Sequence, residues 1–252
     1  MVKKSKLVCG VGVNDADYAV RKSETAVENG KKVCRRIWSC PFYVKWTGVL
    51  VRCYSEKFIR KYPTYEGCYV CDEWLSFSNF KNWMEQQDWE GKDLDKDILY
   101  PDNKIYSPET CVFVSQAVNK FLLDGVKIRG DWPTGVCWNK QKNKFMAYIS
   151  AGYRKSNHLG YFLCPEEAHA AWLSAKRIQA KELAEIQTDP RVAKALVDRY
   201  LNYEEDIQTP GCIYLNHLKQ SLGRTLTKKE IQMLMQKYIR GVPVEKVLEE
   251  ME

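Results

Sequence analysis

Two stretches in the first half of the chain carry apolar residues at helical spacing. Residues 41–54 begin with Pro41, which is typical of a first helical turn, and residues 76–87 repeat the apolar pattern. The apolar positions are Phe42, Trp46, Val49, Leu50 and Cys53 in the first stretch, and Phe77, Phe80, Trp83 and Met84 in the second. We predict two amphipathic helices that flank a loop at residues 55–68, with Trp46 buried in the core.

Residues 93–122 combine short alternation with turn-forming residues. Residues 93–99 alternate and then turn through residues 101–103, which predicts a short strand entering a hairpin-like loop. Ser107 suits a helix cap and Pro108 suits the first helical position. We therefore predict a helix that starts at residue 107 and continues through Val118 to Leu122.

The second half begins with a predicted linker at residues 130–133, followed by three alternating runs at residues 135–139, 144–150 and 157–162. A helix beginning at Pro165 comes next, with an apolar stripe. We predict a three-stranded sheet whose inner face meets this helix. The inner residues are Val136, Ala147, Ile149, Leu159 and Phe162, and the stripe is Ala168, Ala171, Trp172, Ala175, Ile178 and Leu183.

The two ends of the chain differ in pattern. Residues 1–33 are polar and lack apolar periodicity, so we predict an extended arm. A helix is predicted over residues 191–202, and shorter helices over residues 215–222, 227–240 and 244–251. Thr227 and the region of Pro243 provide the expected caps of the last two helices.

The charge of the chain changes sign along its length. Residues 1–61 hold 14 Lys and Arg against 5 Asp and Glu, a net of +9, whereas residues 66–110 hold 4 against 11, a net of −7. Residues 126–160 return to a net of +6. Basic segments around an acidic one are what a metal-dependent nuclease needs, with cations for phosphate and carboxylates for the ion; solvated surface charge is the alternative interpretation.

The ten cysteines are spread along the chain without an apolar leader, so we expect reduced thiols in a soluble, cytoplasmic protein. No run of 18 apolar residues is present, so no membrane partner is expected. The one Cys-x-x-Cys pair is Cys68 and Cys71. Further zinc ligands would have to come from Cys40, Cys53 or Cys111, which argues against a structural zinc site.

One stretch carries a specific chemical signature. Residues 94–99 read Leu-Asp-Lys-Asp-Ile-Leu, a turn contains Asn103, and residues 106–115 read Tyr-Ser-Pro-Glu-Thr-Cys-Val-Phe-Val-Ser before Asn119. Residues 68–122 strongly resemble the phage-type HNH endonucleases of the His-Me finger superfamily. The resemblance implies a ββα-metal finger with Asp95 and Asn119 as ligands of one Mg²⁺ or Mn²⁺.

The chain departs from that family at two positions. Lys96 stands where the family offers a general-base histidine, and Thr110 stands where an asparagine orients that base. In one interpretation the chain is a nuclease in which Asp97 or a metal-bound water takes the proton and Lys96 steadies the phosphate. In the other, the finger is a degenerate scaffold that still shapes a DNA-binding surface. A third interpretation is purely structural: Asp95 and Asn119 only turn and cap the chain.

A second resemblance covers residues 135–179. Gly-Val-Cys-Trp-Asn-Lys at 135–140, Lys-Phe-Met-Ala-Tyr-Ile at 144–149, His-Leu-Gly-Tyr-Phe at 158–162 and Glu-Glu-Ala-His-Ala-Ala-Trp at 166–172 resemble ethylene-response-factor DNA-binding domains. That family lays a three-stranded antiparallel sheet in the major groove of double-stranded DNA. The resemblance places Trp138, Lys140, Lys144, Tyr148, Arg154 and Lys155 on the DNA face.

Together these patterns predict an α+β protein. Residues 1–39 form a basic arm, residues 40–125 the HNH-like finger with its supporting helices, residues 126–187 the sheet domain, and residues 188–252 a helical region. The expected function is DNA cleavage with a divalent metal. The alternatives are a non-catalytic DNA-binding protein, and a factor that binds another protein through residues 211–252. The sequence leaves the oligomeric state open.

Overall fold

A computed structural model describes residues 7–29, 31–122, 130–150, 156–201, 203 and 209–251. The fold is mixed α+β and divides into two compact units, residues 1–120 and 121–252. The helices at the C-terminal end belong to the same unit as the three-stranded sheet.

Within the residues that the structure describes, the first unit contains three pairs of strands and four helices. Its elements are β1 (Arg21–Glu28), β2 (Lys31–Ser39), α1 (Pro41–Tyr54), α2 (Glu56–Lys61), β3 (Tyr69–Val70), α3 (Phe77–Met84), β4 (Asp93–Asp95), β5 (Ile105–Tyr106), β6 (Val112–Val114) and α4 (Gln116–Leu122), the last of which runs two residues past the unit boundary. β1 pairs with β2 and β4 with β6, both antiparallel, and β3 pairs with β5 in parallel.

Aromatic side chains form the core of the first unit. Trp46 of α1 is fully buried, and its indole Nε1 donates a hydrogen bond of 2.7 Å to the carbonyl of Trp74. Phe77 and Phe80 of α3 are buried too, and the rings of Phe77 and Trp46 lie 5.5 Å apart between centroids. The predicted amphipathic helices and the burial of Trp46 are confirmed.

Three predictions for the first unit were wrong. Residues 55–68 are not a loop, because α2 and a 3₁₀ turn at Pro63–Tyr65 occupy them. Much of the predicted N-terminal arm is the hairpin β1–β2. Its signal was the pair Asn29-Gly30, a typical hairpin turn, and Asn29 has the positive φ of 49° that such turns require.

The third error concerns the helix predicted from residue 107. Residues 107–110 form a turn, in which the amide of Cys111 donates to the carbonyl of Ser107 at 3.0 Å. The apolar run Val112–Val114 then forms the buried strand β6, because two β-branched residues and a phenylalanine favour extended backbone. The helix starts only at Gln116, so the chain order is strand, strand, helix.

The second unit is a sheet covered by helices. It contains β7 (Val136–Asn139), β8 (Lys144–Ser150), β9 (Ser156–Phe162), α5 (Pro165–Glu185), α6 (Pro190–Leu201), α7 (Pro210–Ser221), α8 (Lys228–Ile239) and α9 (Val244–Glu249). The three strands pair antiparallel in the order β7-β8-β9, as predicted. Phe145, Ala147 and Ile149 of β8 are buried on the inner face.

Two further predictions failed in the second unit. The segment at residues 130–133 is no linker, since Trp132 is buried and its ring lies 4.8 Å from that of Phe145. Ile178 is 59% exposed although it continues the apolar spacing of α5, so the buried stripe of this helix does not include it. The helices α7, α8 and α9 bury Leu215, Leu234 and Val247 in the same core as Trp132.

Candidate active site

A polar cleft of about 190 Å³ lies in the first unit where β4, β5, α1 and α4 meet. It contains the residues that the sequence singled out and several that it did not. The lining residues are Arg52, Tyr65, Asp93, Leu94, Asp95, Lys96, Asp97, Tyr106 and Asn119. The two predicted metal ligands, Asp95 and Asn119, therefore face the same space although 24 positions separate them in the chain.

Asp95 ends strand β4 and turns the chain. Its Oδ1 accepts hydrogen bonds of 2.8 Å from the backbone amides of Asp97 and Ile98. These bonds stop the strand four residues before the alternation ends, because the amides that would continue the ladder are bound to the side chain. They also hold the carboxylate in one orientation at the cleft.

The side chain of Lys96 is buried inside the loop that follows β4. Its side chain is only 6% exposed, and Nζ donates to Oδ1 of Asp97 and to the carbonyl of Asn103. Nζ also lies 6.0 Å from the ring centre of Tyr106. The proposed role for Lys96 in steadying phosphate does not fit this position, because its buried ammonium group already donates to Asp97 and Asn103; its role here is to hold the loop.

Asp97 lies at the edge of the cleft with its side chain half exposed. Partial burial raises the pKa of the Asp97 carboxyl, although the hydrogen bond and the positive charge of Lys96 act in the opposite direction. The ion pair joins Nζ of Lys96 to Oδ1 of Asp97 at 2.5 Å. One carboxylate oxygen is thus tied to the loop at the entrance of the cleft.

Asn119 reaches the cleft from helix α4. The helix begins after Ser115, whose Oγ accepts from the amide of Val118 at 3.3 Å, and it is anchored by the fully buried side chain of Val118. Asn119 is the next residue, half-buried, and it faces the cleft. The burial of Val118 thus fixes the side of the helix on which Asn119 lies.

Arg52, in the last turn of α1, was missed by the sequence reasoning. Its guanidinium lies beside the hydroxyl of Tyr106, and Tyr65 and Asp93 are close to it as well. Burial raises the pKa of the Tyr106 hydroxyl above its usual range, so this group stays neutral. A guanidinium is permanently charged, so Arg52 places a fixed cation beside Asp95 and Asn119.

The two positions at which the chain departs from the HNH pattern have structural explanations. Thr110 donates from Oγ1 to the carbonyl of Ile105 at 2.9 Å and accepts from the amide of Ser107 at 3.2 Å, so it closes the turn before β6. Thr110 is not among the residues that line the cleft. All three histidines of the sequence, His158, His169 and His217, belong to the second unit.

The donor atoms of the cleft suit a hard cation. Asp95 and Asn119 supply carboxylate and amide oxygens, and Mg²⁺ is typically held by one or two carboxylates while keeping several waters. Within the residues that the structure describes, no group of three or more His, Cys, Asp and Glu is arranged to hold a metal ion. A cation here would therefore rely on water and substrate oxygens for its remaining ligands.

No family model, curated protein or solved structure matches this chain. Within the described residues, no helix has both the length and the apolar character needed to cross a membrane.

The sheet of the second unit presents part of the expected DNA face. Lys144 and Tyr148 alternate with the buried residues of β8 and therefore lie on its outer side, where Tyr148 is 41% exposed. His158 and Tyr161 of β9 share that outer side, with their rings 4.5 Å apart. Lys140 is exposed in the turn between β7 and β8.

The remaining residues of the expected DNA face stand elsewhere. Trp138 pairs across the sheet with Phe145 and packs on its ring at 4.9 Å, so it belongs to the inner face. Trp138 was therefore wrongly assigned to the DNA face. It helps to cover the core shared with α8, where it lines a cleft with Tyr238. Arg154 and Lys155 lie outside the described residues.

Proposed function

We propose that this protein is a DNA endonuclease that hydrolyses phosphodiester bonds with a divalent metal ion bound in the cleft of the first unit. The observation that carries the proposal is that Asp95 and Asn119 line one polar cleft together with Arg52. A carboxylate, an amide oxygen and a permanent cation are the groups that a metal-assisted attack on phosphate requires.

Each residue of the cleft has a role in the proposed reaction that follows from its chemistry. Arg52 binds the non-bridging oxygens of the phosphate, because it lines the cleft and a planar guanidinium carries several donors. The buried hydroxyl of Tyr106 lies beside that guanidinium and stays neutral. Lys96 engages one oxygen of Asp97, and the other oxygen is the acceptor that we assign to the proton of the attacking water.

Asp95 and Asn119 would hold the cation. A divalent ion at this position supplies the positive charge that stabilises the developing charge on the phosphate. The two amide donors on Oδ1 of Asp95 keep its carboxylate from rotating, so the site is oriented before the ion arrives. The anchored helix α4 does the same for Asn119.

The test is nicking of supercoiled plasmid DNA by the full chain with Mg²⁺ or Mn²⁺. Asp95→Asn keeps an oxygen that can accept from Asp97 and Ile98 but removes the negative charge, so the loop is preserved while the cation site is weakened. We expect nicking to slow by roughly 100-fold or more. Binding of DNA in the absence of metal should change little.

Asp102→Asn is the matched control. Asp102 lies in the same loop, is not part of the cleft lining and has a φ of 60°, which asparagine adopts readily. This variant removes the same charge and should nick like the wild type. Wild-type protein that leaves plasmid intact with both metals would overturn the proposal.

The second candidate is a DNA-binding protein without catalysis. It is favoured by Lys96, which occupies the position of the expected base and donates to the interior of the loop. For this function, log affinity for DNA falls linearly with log salt concentration and the divalent metal has no effect. Binding with unchanged plasmid, for both wild type and Asp95→Asn, would select this candidate.

A further inference from the structure

The hairpin β1–β2 is a two-stranded ribbon that extends from the first unit with both faces exposed. Residues 21–27 and 31–38 are exposed apart from the half-buried Val33. Even apolar side chains remain open, with Val27 69% and Ile37 55% exposed. A lone two-stranded hairpin is marginally stable in water, so a ribbon of this kind is typical of a surface that meets a partner.

The base of the ribbon is fixed to helix α1. The amide of Cys40 donates to the carbonyl of Val20 at 2.9 Å, and the guanidinium of Arg21 lies 5.0 Å above the ring of Tyr43. Tyr43 is in the first turn of α1, and Arg52 of the cleft is in its last turn. The same rigid helix therefore carries both the ribbon and the phosphate-binding cation.

The register divides the charges of the ribbon between its two faces. Residues directly opposite in an antiparallel pair share a face, and successive residues alternate. Ser23 pairs with Arg36, Thr25 with Cys34 and Val27 with Lys32. We call this side the acid-free face, because its charged residues are Lys32 and Arg36; the pair Arg21 and Ser39 lies beyond a register shift between Lys22 and Ser23.

The opposite side, which we call the paired face, carries acidic residues across the ladder from basic ones. Glu24 lies directly across the ladder from Arg35, and Glu28 is at the register position opposite Lys31. Opposite charges at such positions attract each other. The remaining cation, Lys22, lies 5.7 Å from the ring centre of Trp38. The ribbon thus has one face whose charged residues are all basic and one on which acidic and basic residues oppose each other.

We infer that the acid-free face of the ribbon binds duplex DNA by entering the major groove. This groove admits a two-stranded β-ribbon, and the charged ends of Lys32 and Arg36 would reach its phosphates while Ser23 and Thr25 face the bases. The strands of eight and nine residues are about 25 Å long at the usual rise, enough to span the groove. This inference rests on the proposed function in one respect: it takes duplex DNA as the ligand of the protein.

Charge-matched double variants test which face binds. Lys32→Gln with Arg36→Gln removes one lysine and one arginine from the acid-free face, and Lys31→Gln with Arg35→Gln removes the same pair from the paired face. Binding of the full chain to a labelled DNA duplex is measured by fluorescence anisotropy in EDTA, from about 50 to 200 mM salt. EDTA keeps the measurement independent of cleavage.

For the acid-free variant we expect affinity to fall roughly tenfold or more, and the slope of log affinity against log salt to decrease by about 2. The paired-face variant should change the slope by less than 1. An RNA duplex of the same sequence has a major groove too narrow for the ribbon, so the two variants should bind it equally.

Equal losses for both variants on DNA, or no loss for either, would overturn the inference, as would the same difference between variants on RNA. The failure of this inference is separable from that of the proposed function. If the wild type nicks plasmid while both variants keep full affinity, only the inference about the ribbon is rejected. If binding depends on the acid-free face but the wild type never nicks, only the proposed nuclease function is rejected. If the wild type binds no duplex, both proposals are rejected.

Discussion

Lys96 and Asn103 hold each other across the loop that follows β4: Nζ of Lys96 donates to the carbonyl of Asn103, and Nδ2 of Asn103 donates to the carbonyl of Lys96 at 2.9 Å. Asn103 also donates to the carbonyl of Ile105 at 2.7 Å. The loop that carries Asp95 and Asp97 is therefore closed by side chains rather than by a regular ladder. The stability of the cleft depends on this lysine.

Replacement of Lys96 tests this role. Lys96→Met removes a buried ammonium and leaves the carbonyl of Asn103 without its donor, so we expect the free energy of unfolding to fall by about 2–3 kcal/mol. The measurement is denaturant unfolding followed by tryptophan fluorescence. Lys92→Met is the control, because its pair with Asp88 is on the surface and should contribute about 0–1 kcal/mol. Equal effects of both changes would contradict a structural role for Lys96.

Asn119 provides a test of the cation site that is separate from Asp95. Asn119→Ala removes one of the two oxygen donors, so the concentration of Mn²⁺ needed for half-maximal nicking should rise roughly 10- to 100-fold. Gln116→Ala, at an exposed position in the first turn of the same helix, should leave it unchanged. An unaltered metal requirement in Asn119→Ala would remove this residue from the site.

Cysteine reactivity reports on the core of the first unit. Burial raises the pKa of Cys53 to about 12 and that of Cys111 to about 12, so neither thiol forms an appreciable thiolate at pH 8. Cys34 is exposed on the ribbon. Iodoacetamide at pH 8, followed by peptide mass spectrometry, should label Cys34 well before the two buried thiols, and denaturant should abolish the difference.

Packing of α7 on the segment before β7 is tested at Gly211. A methyl group there would lie 2.4 Å from ring atoms of Trp132 and 2.7 Å from the carbonyl of Asp131, so Gly211→Ala should lower the free energy of unfolding by about 1–3 kcal/mol. Gly48→Ala meets nothing within 4 Å inside α1 and should stabilise the protein slightly. A tolerated Gly211→Ala would show that the contact with Trp132 is absent.

The start of α8 makes stability depend on pH. A hydrogen bond from Arg224, followed by bonds from Thr227, lowers the pKa of Glu230 to about 2 from its usual 4.5. Because the pKa is lower in the folded state, the stabilising effect is complete above about pH 4.5 and is lost as the pH falls toward 2. The difference in unfolding free energy between wild type and Glu230→Gln should shrink over this range. A difference that is constant with pH would show that the carboxylate makes no such bonds.

Local patterns were enough to predict most of the helices but not the whole site. The periodicity of α1, α3 and α5 shows in the sequence because each helix buries one face, and this requires apolar residues at a fixed spacing. The ribbon was missed because neither of its faces is buried, so its alternation involves charge instead of apolar residues. Only the turn pair at positions 29 and 30 marked it.

The sequence by itself determined the antiparallel sheet of the second unit, most of the helices and the choice of Asp95 and Asn119 as candidate ligands. Tertiary structure decided that these two residues share a cleft, that Arg52 joins them and that Lys96 is turned inward. The physical reason is range: helical and strand patterns arise from neighbours a few residues apart, whereas the cleft is built from segments that meet only when the aromatic core of the first unit is packed.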